Sequence, residues 1–173
     1  VVSAREMLEK SLESLKHPNT QTVFVSTAAV ADWRPATCAA QKLKKREMSS
    51  TLKLVRNPDI LKTISQLSQR PNLLLVGFAA ETNDVLAEAA RKCREKGLAF
   101  IVANDVTEAG SGFGTATDRV TFVYPDGRQE KFPLMTKRRV AAALVRTVER
   151  LSAEGGGDFV RSRPSPGQSR RDP

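Results

Sequence analysis

Lysines are the residues best placed to do chemistry in this chain. The run Lys42-Leu43-Lys44-Lys45-Arg46 packs cations into a stretch with no regular hydrophobic period. A lysine loop of this kind can close over phosphates, where each charge-assisted hydrogen bond is worth roughly 1.5–3 kcal/mol. The same run also reads as plain solvated surface. Lys92 and Lys96 lie four residues apart in a helical stretch, so both face one side and repel unless an anion sits between them. Arg91 and Arg94 on neighbouring faces make a generic basic helix the competing reading. Ser26-Thr27-Ala28-Ala29 closes a predicted strand with side chains small enough for a ligand to reach the backbone. Asp32, just beyond, could hold a metal ion or bond a hydroxyl. Asn57-Pro58-Asp59-Ile60 opens a predicted helix, with Asn57 as its cap and Pro58 in its first position; free N–H groups at such an end can orient polar ligands or bind anions. Phe78, at another strand end, could stack on a nucleobase or belong to the core. Asn104-Asp105 could orient a ligand or form a turn.

Other chemistries are excluded. His17 is the sole histidine and stands at a helix exit, so no Ser/His/Asp or Cys/His machinery can be assembled. One histidine with the distant Cys38 and Cys93 cannot form a zinc site. Gly110-Ser111-Gly112-Phe113-Gly114 lacks the GK[ST] ending of a phosphate loop and leads into a strand. No run approaches the ~20 apolar residues of a membrane span, and the N-terminus does not read as a signal peptide. Two cysteines are too few for a disulfide scaffold and fit a reducing compartment. Lys+Arg 28 against Asp+Glu 19 leaves +9, which points to a polyanionic partner: nucleic acid, anionic lipid or a phosphorylated small molecule.

The elements that must position these residues follow from periodicity. Met7, Leu8, Leu12 and Leu15 mark a helix from Val2 to Leu15, stopped by His17-Pro18-Asn19. Val23–Val25 reads as a short buried strand, Asp32 to Ser50 as a long loop, and Thr51–Val55 as a strand before the helix that runs to Leu67. Leu73–Phe78 and Leu98–Val102 are apolar throughout, as in strands covered on both faces. Between them Thr82 or Asn83 caps a helix from Asp84 to Lys96, ended by Gly97. Val120–Tyr124, the turn Pro125-Asp126-Gly127 and the return to Phe132 form a hairpin, and Thr136 caps a last helix to about Leu151. Ser152–Pro173 is Gly, Pro, Ser and Arg with little to bury, so it is expected to be disordered. With 40% apolar residues the rest supports one α/β domain over 1–151: three layers, α/β/α, a mostly parallel sheet and an appended antiparallel hairpin. Ligands of such sheets gather outside the carboxyl ends of the strands.

Five segments then occur together in a familiar order and spacing: Ser-Thr-Ala-Ala-Val-Ala-Asp-Trp-Arg-Pro (26–35), Lys-Leu-Lys-Lys (42–45), Asn-Pro-Asp-Ile (57–60), Gly-Phe-Ala-Ala-Glu-Thr (77–82) and Ala-Asn-Asp-Val (103–106). From about Val23 to Leu151 the chain resembles bacterial phosphopantothenate–cysteine ligase (phosphopantothenoylcysteine synthetase), often the C-terminal half of a bifunctional coenzyme A biosynthesis protein. The resemblance implies a Rossmann-like core and a cytoplasmic, magnesium-dependent enzyme. CTP and 4′-phosphopantothenate give an acyl-cytidylate and pyrophosphate; the amine of L-cysteine then releases CMP. It places Ser26, Thr27, Ala28 and Asp32 against the nucleotide and gives Lys42 the catalytic role of stabilising charge. Asn57, Pro58, Asp59, Ile60 and Phe78 would frame cytidine, while Lys92 and Lys96 bind phosphates; no metal ligand is assigned. It also implies a homodimer and fusion to a phosphopantothenoylcysteine decarboxylase domain, with no nucleic acid and no membrane as partners. The family opens with a glycine-rich strand–loop–helix that Val1 does not follow, so the chain is expected to be truncated at its N-terminus and of doubtful activity alone. The rival reading is a non-catalytic basic nucleotide- or nucleic-acid-binding module.

Overall fold

The apolar run after residue 72 becomes the spine of the molecule. A computed structural model describes residues 1–16, 21–42, 44, 51–67, 72–81, 85–105, 108, 110–112 and 114–154. A five-stranded sheet contains β1 (Thr22–Ser26), β4 (Leu73–Glu81), β5 (Phe100–Asp105), β7 (Val120–Val123) and β8 (Gln129–Lys131), in the order β1-β4-β5-β7-β8. β1, β4 and β5 are mutually parallel, with Ser26 opposite Gly77 and Phe78 opposite Val102. β7 and β8 complete it as the expected antiparallel hairpin, turned at Gly127, whose φ of 88° glycine adopts without steric cost. Two small ribbons flank the sheet: β2 (Trp33–Pro35) with β3 (Leu54–Arg56), and β6 (Thr117–Asp118) with β9 (Met135–Thr136).

Helices cover both faces. Leu73, Leu75 and Ala79 of β4 pack with residues of α1 (Ala4–Ser14), α2 (Ile60–Leu67) and α3 (Val85–Glu95). Leu74 and Val76, alternating with them, meet Phe100, Val102 and Phe122 and, from α4 (Lys137–Glu154), Val140 and Leu144. The result is the three-layer, Rossmann-like α/β arrangement with a mostly parallel sheet read from the sequence. Among the described residues no helix is long and apolar enough to cross a membrane.

Several expectations change: β4 runs past Phe78 to Glu81, and β5 spans Phe100–Asp105 rather than Leu98–Val102, so Asn104 and Asp105 belong to the strand instead of following it. β1 is an edge strand rather than a buried one: Val23 and Val25 are each 37% exposed, because the α4-side cluster draws on β4, β5 and β7 but not on β1. The loop from Asp32 contains β2, whose Trp33 lies under the Arg56 guanidinium, 5.0 Å from its centroid. The strand expected at Thr51–Val55 begins later, at Leu54. α4 runs to Glu154, so Ser152–Glu154 complete a helix. The expectations for His17–Asn19, Thr82–Asp84 and residues 155–173 lie outside the described residues.

Cys93 points from α3 into the core, where burial pushes its thiol up to about 12, whereas Cys38 is exposed. A disulfide-exchange reagent at pH 8 is expected to label Cys38 alone in the folded chain and both thiols in denaturant. Rapid labelling of two thiols without denaturant would contradict this packing.

Candidate functional site

The loop leaving β1 is stitched to the turn before α2 by one side chain. Asn57 donates from Nδ2 to the Ala31 carbonyl (2.7 Å) and from its backbone N–H to the Asp32 carbonyl (2.8 Å). Its Oδ1 accepts from Arg34 Nη1 (3.0 Å), which also donates to the Arg56 carbonyl (2.7 Å). Asn57 therefore does not cap α2, as the Asn-Pro pattern suggested. Longer-range partners claim its amide, and the cap moves to Asp59, whose Oδ1 accepts from the Lys62 N–H (3.1 Å). Small, exposed Thr27, Ala28 and Ala29 are thus held beside Asp32, whose carboxylate no described residue pairs with.

The start of α2 packs on β4 at Gly77, beside the end of β1. A Cβ on Gly77, the neighbour of Ser26 across the sheet, would stand 3.2 Å from Leu61 Cδ1 and 3.0 Å from Leu98 Cδ1. A glycine is what lets α2 come this close. From the end of α3, Lys96 Nζ reaches Asp59 Oδ2 at 2.8 Å, joining α3 to the start of α2. Partial burial raises the Asp59 pKa, but the Lys96 ammonium and the Lys62 N–H outweigh it and hold the carboxyl below the ordinary aspartate value. A depressed acid adds stability that is present above the unfolded value and lost as pH falls through the folded one. Asp59→Asn should lower stability at pH 7 by about 1 kcal/mol or less, since solvent screens the half-exposed pair. Thermal melts should show that gap closing as pH falls through the lowered Asp59 value; a gap independent of pH would contradict the ion pair.

Ser26, Asp32, Asn57, Asp59, Ile60 and Lys96 are thus linked through one strand end, one turn and two helix ends. Pro58, between Asn57 and Asp59, is held in the same turn. Phe78 does not join from the same side. Alternation along β4 puts it on the α4 face with Leu74 and Val76, where it is 40% exposed. Lys92 lies 3.7 Å from Glu88 along its own helix. Lys42 is exposed and carries no described ion partner, while Leu43, Lys45 and Arg46 lie outside the described residues. The described residues contain no group of three or more His, Cys, Asp or Glu that could hold a metal ion.

Sequence reasoning named Asn104 but missed Arg34 and the polar partners that Asn104 meets beyond β5. Asp118 accepts from the Gly112 N–H (3.3 Å) and faces Asn104 Nδ2, while Lys137 Nζ donates to the Gly112 carbonyl (2.8 Å). Gly110, Gly112 and Gly114 have φ of 83°, 90° and 75°. That glycine spacing was the available signal for a tightly built loop, although nothing in it singles out Asp118.

Residues 1–151 match the DNA/pantothenate metabolism flavoprotein C-terminal domain. The chain belongs to this family. Among curated relatives it is 40% identical over 154 residues to the coenzyme A biosynthesis bifunctional protein CoaBC of Vibrio vulnificus (strain YJ016), covering 87% of this chain and 37% of that protein. The CoaBC of Bacillus subtilis (strain 168) is 38% identical over 156 residues, covering 90% and 37%. The solved C-terminal domain of CoaBC superposes with a TM-score of 0.65 at 38% identity, covering 89% of this chain and 67% of that one. The chain therefore spans a little over a third of the length of these curated relatives. Family membership accounts for the order of the segments gathered at the strand ends, which composition alone does not require.

Proposed function

We propose that the chain carries the ligase function of coenzyme A biosynthesis, joining 4′-phosphopantothenate to L-cysteine at the expense of CTP, in the cytoplasm and alongside a fused decarboxylase domain. The observation that carries this reading is the Asn57 stitch. It draws the small-residue loop 26–32 and the 57–60 turn, two segments that carry the family resemblance, into one polar rim with Lys96.

In this reading the carboxylate of phosphopantothenate attacks the α-phosphorus of CTP, the α–β P–O bond breaks and pyrophosphate leaves. The cysteine amine then attacks the acyl carbon, and the C–O bond to CMP breaks as the nitrogen sheds a proton to solvent. Such chemistry needs positioning and positive charge rather than a nucleophilic side chain. The exposed backbone of Thr27 and Ala28, with Ser26, would bind the nucleotide. The Asn57–Ile60 turn and the Phe78 ring would frame cytidine, Lys92 and Lys96 would bind phosphates, and Lys42 would stabilise the charge that develops as pyrophosphate departs. Magnesium binds substrate phosphates with one or two protein carboxylates rather than an all-protein cage. The Asp32 carboxylate, which pairs with none of the described residues, fits that habit; the ion would neutralise phosphate charge there. A homodimer is part of the proposal.

Pyrophosphate release tests it, measured on the chain alone and in its full reading frame. Release that requires CTP, phosphopantothenate and cysteine together is the expected result. Tight RNA binding with no release in either form would overturn the ligase reading and favour the basic nucleic-acid-binding module.

A further inference from the structure

Asp118 has no place in the site described so far, yet its surroundings point toward it. Asn104 is the penultimate residue of β5, opposite Ala80, at the carboxyl end of the sheet where β4 also terminates. Alternation with Phe100 and Val102 sets Asn104 on the α4 face, the face that also bears the exposed ring of Phe78. Strand spacing and rise separate the two Cα positions by about 8 Å. The Asp118 carboxylate lies 3.4 Å (Oδ1) and 3.3 Å (Oδ2) from Asn104 Nδ2, and Oδ1 also accepts from the buried Gly112 N–H at 3.3 Å. β6 pairs Asp118 with Met135, and Lys137 Nζ holds the Gly112 carbonyl from the other side, so the carboxylate is fixed within a braced loop.

An ionised carboxylate can only accept hydrogen bonds. The side of the Asn104 amide that faces Asp118 must therefore be its NH2, and the opposite orientation would oppose two acceptors. That choice leaves Oδ1 turned away from Asp118, and no described residue donates to it. We propose that Asp118 is a positioning residue: by fixing the sense of the Asn104 amide, it presents Asn104 Oδ1 beside Phe78 as a ready acceptor for an N–H or O–H donor of the bound nucleotide. This rests on the nucleotide reading above. A preset acceptor spares the ligand the cost of reorienting the amide on binding.

The test is a double-mutant cycle on Mg–CTP binding, read by calorimetry, together with side-chain amide exchange of Asn104 read by NMR. Asn104→Ala should weaken binding about tenfold, the worth of one hydrogen bond. Asp118→Ala should weaken it severalfold, but should add nothing once residue 104 is alanine. Asp118→Asn keeps an acceptor oxygen and should restore both affinity and protection of the Asn104 amide in the free chain. UTP, which lacks the exocyclic amine, and 2′,3′-dideoxy-CTP, which lacks the hydroxyls, identify the donor. Disappearance of the Asn104→Ala effect with one of them supports the proposal, and persistence with both overturns it. Additive losses, or exchange unchanged by Asp118→Ala, overturn the positioning role and leave the nucleotide reading standing. Absence of Mg–CTP binding by the unsubstituted chain overturns the nucleotide reading itself, while the exchange data still decide the amide lock.

Discussion

Replacing Phe100 with alanine is expected to lower stability by about 3–5 kcal/mol. Phe100 is fully buried at the start of β5, with ring centroids 5.1 Å from Phe122 and 5.8 Å from Tyr124. Its loss removes those ring contacts and leaves a cavity that a close-packed core refills only in part. Domains of this size are stable by roughly 5–15 kcal/mol, so the change is a large share of the total. Because β5 carries Asn104 at its other end, partial unfolding there would also disperse the strand-end site. Urea denaturation gives the answer through the midpoint at unchanged slope. A loss below about 1 kcal/mol would mean that this aromatic cluster is not the centre of the α4-side core.

The second large effect is functional. Lys42→Ala is expected to reduce turnover in the ligation assay by about a hundredfold, the scale seen when one preorganised charge or donor is taken from a transition state. Affinity for Mg–CTP should change far less. Lys42 is exposed and without a described ion partner, so removing it leaves no buried charge behind and should barely move the melting temperature. Parallel kcat and Kd measurements separate the outcomes: a fall in kcat with Kd preserved supports a role during chemistry. Unchanged turnover would refute it.

Elements whose residues obey a single local rule were legible in the sequence. Leu73–Val76 reads as a central strand because both of its faces are covered, and each residue is in fact buried. Gly97 and Gly127 announce a helix end and a hairpin turn because their positive φ suits glycine. Legibility fails where a distant partner decides. Asn57 looks like a cap by every local criterion, yet the Ala31 and Asp32 carbonyls, some 25 residues earlier, hold it elsewhere. β2 is invisible locally because it is three residues long, ends in Pro35, and exists only through its pairing with Leu54–Arg56. Phe78 reads as a strand end, yet β4 runs three residues further, to Glu81, and one strand's alternation does not reveal which helices cover which face. Asp118 carried no signal, since its meaning lies in Asn104, fourteen residues before it. The order of the five segments was the most informative feature of the sequence, and it acts through family resemblance rather than through local physics.

In the proposed ligase the loop after β1, the Asn57–Ile60 turn and Lys96 together make a single nucleotide-binding rim. Backbone amide shifts of the 15N-labelled chain titrated with Mg–CTP test it most directly. Saturable shifts concentrated at Ser26–Asp32, Asn57–Leu61, Gly77–Ala79 and Lys96 are expected. Shifts confined instead to the arginines of α4, with those four segments unmoved, would contradict it.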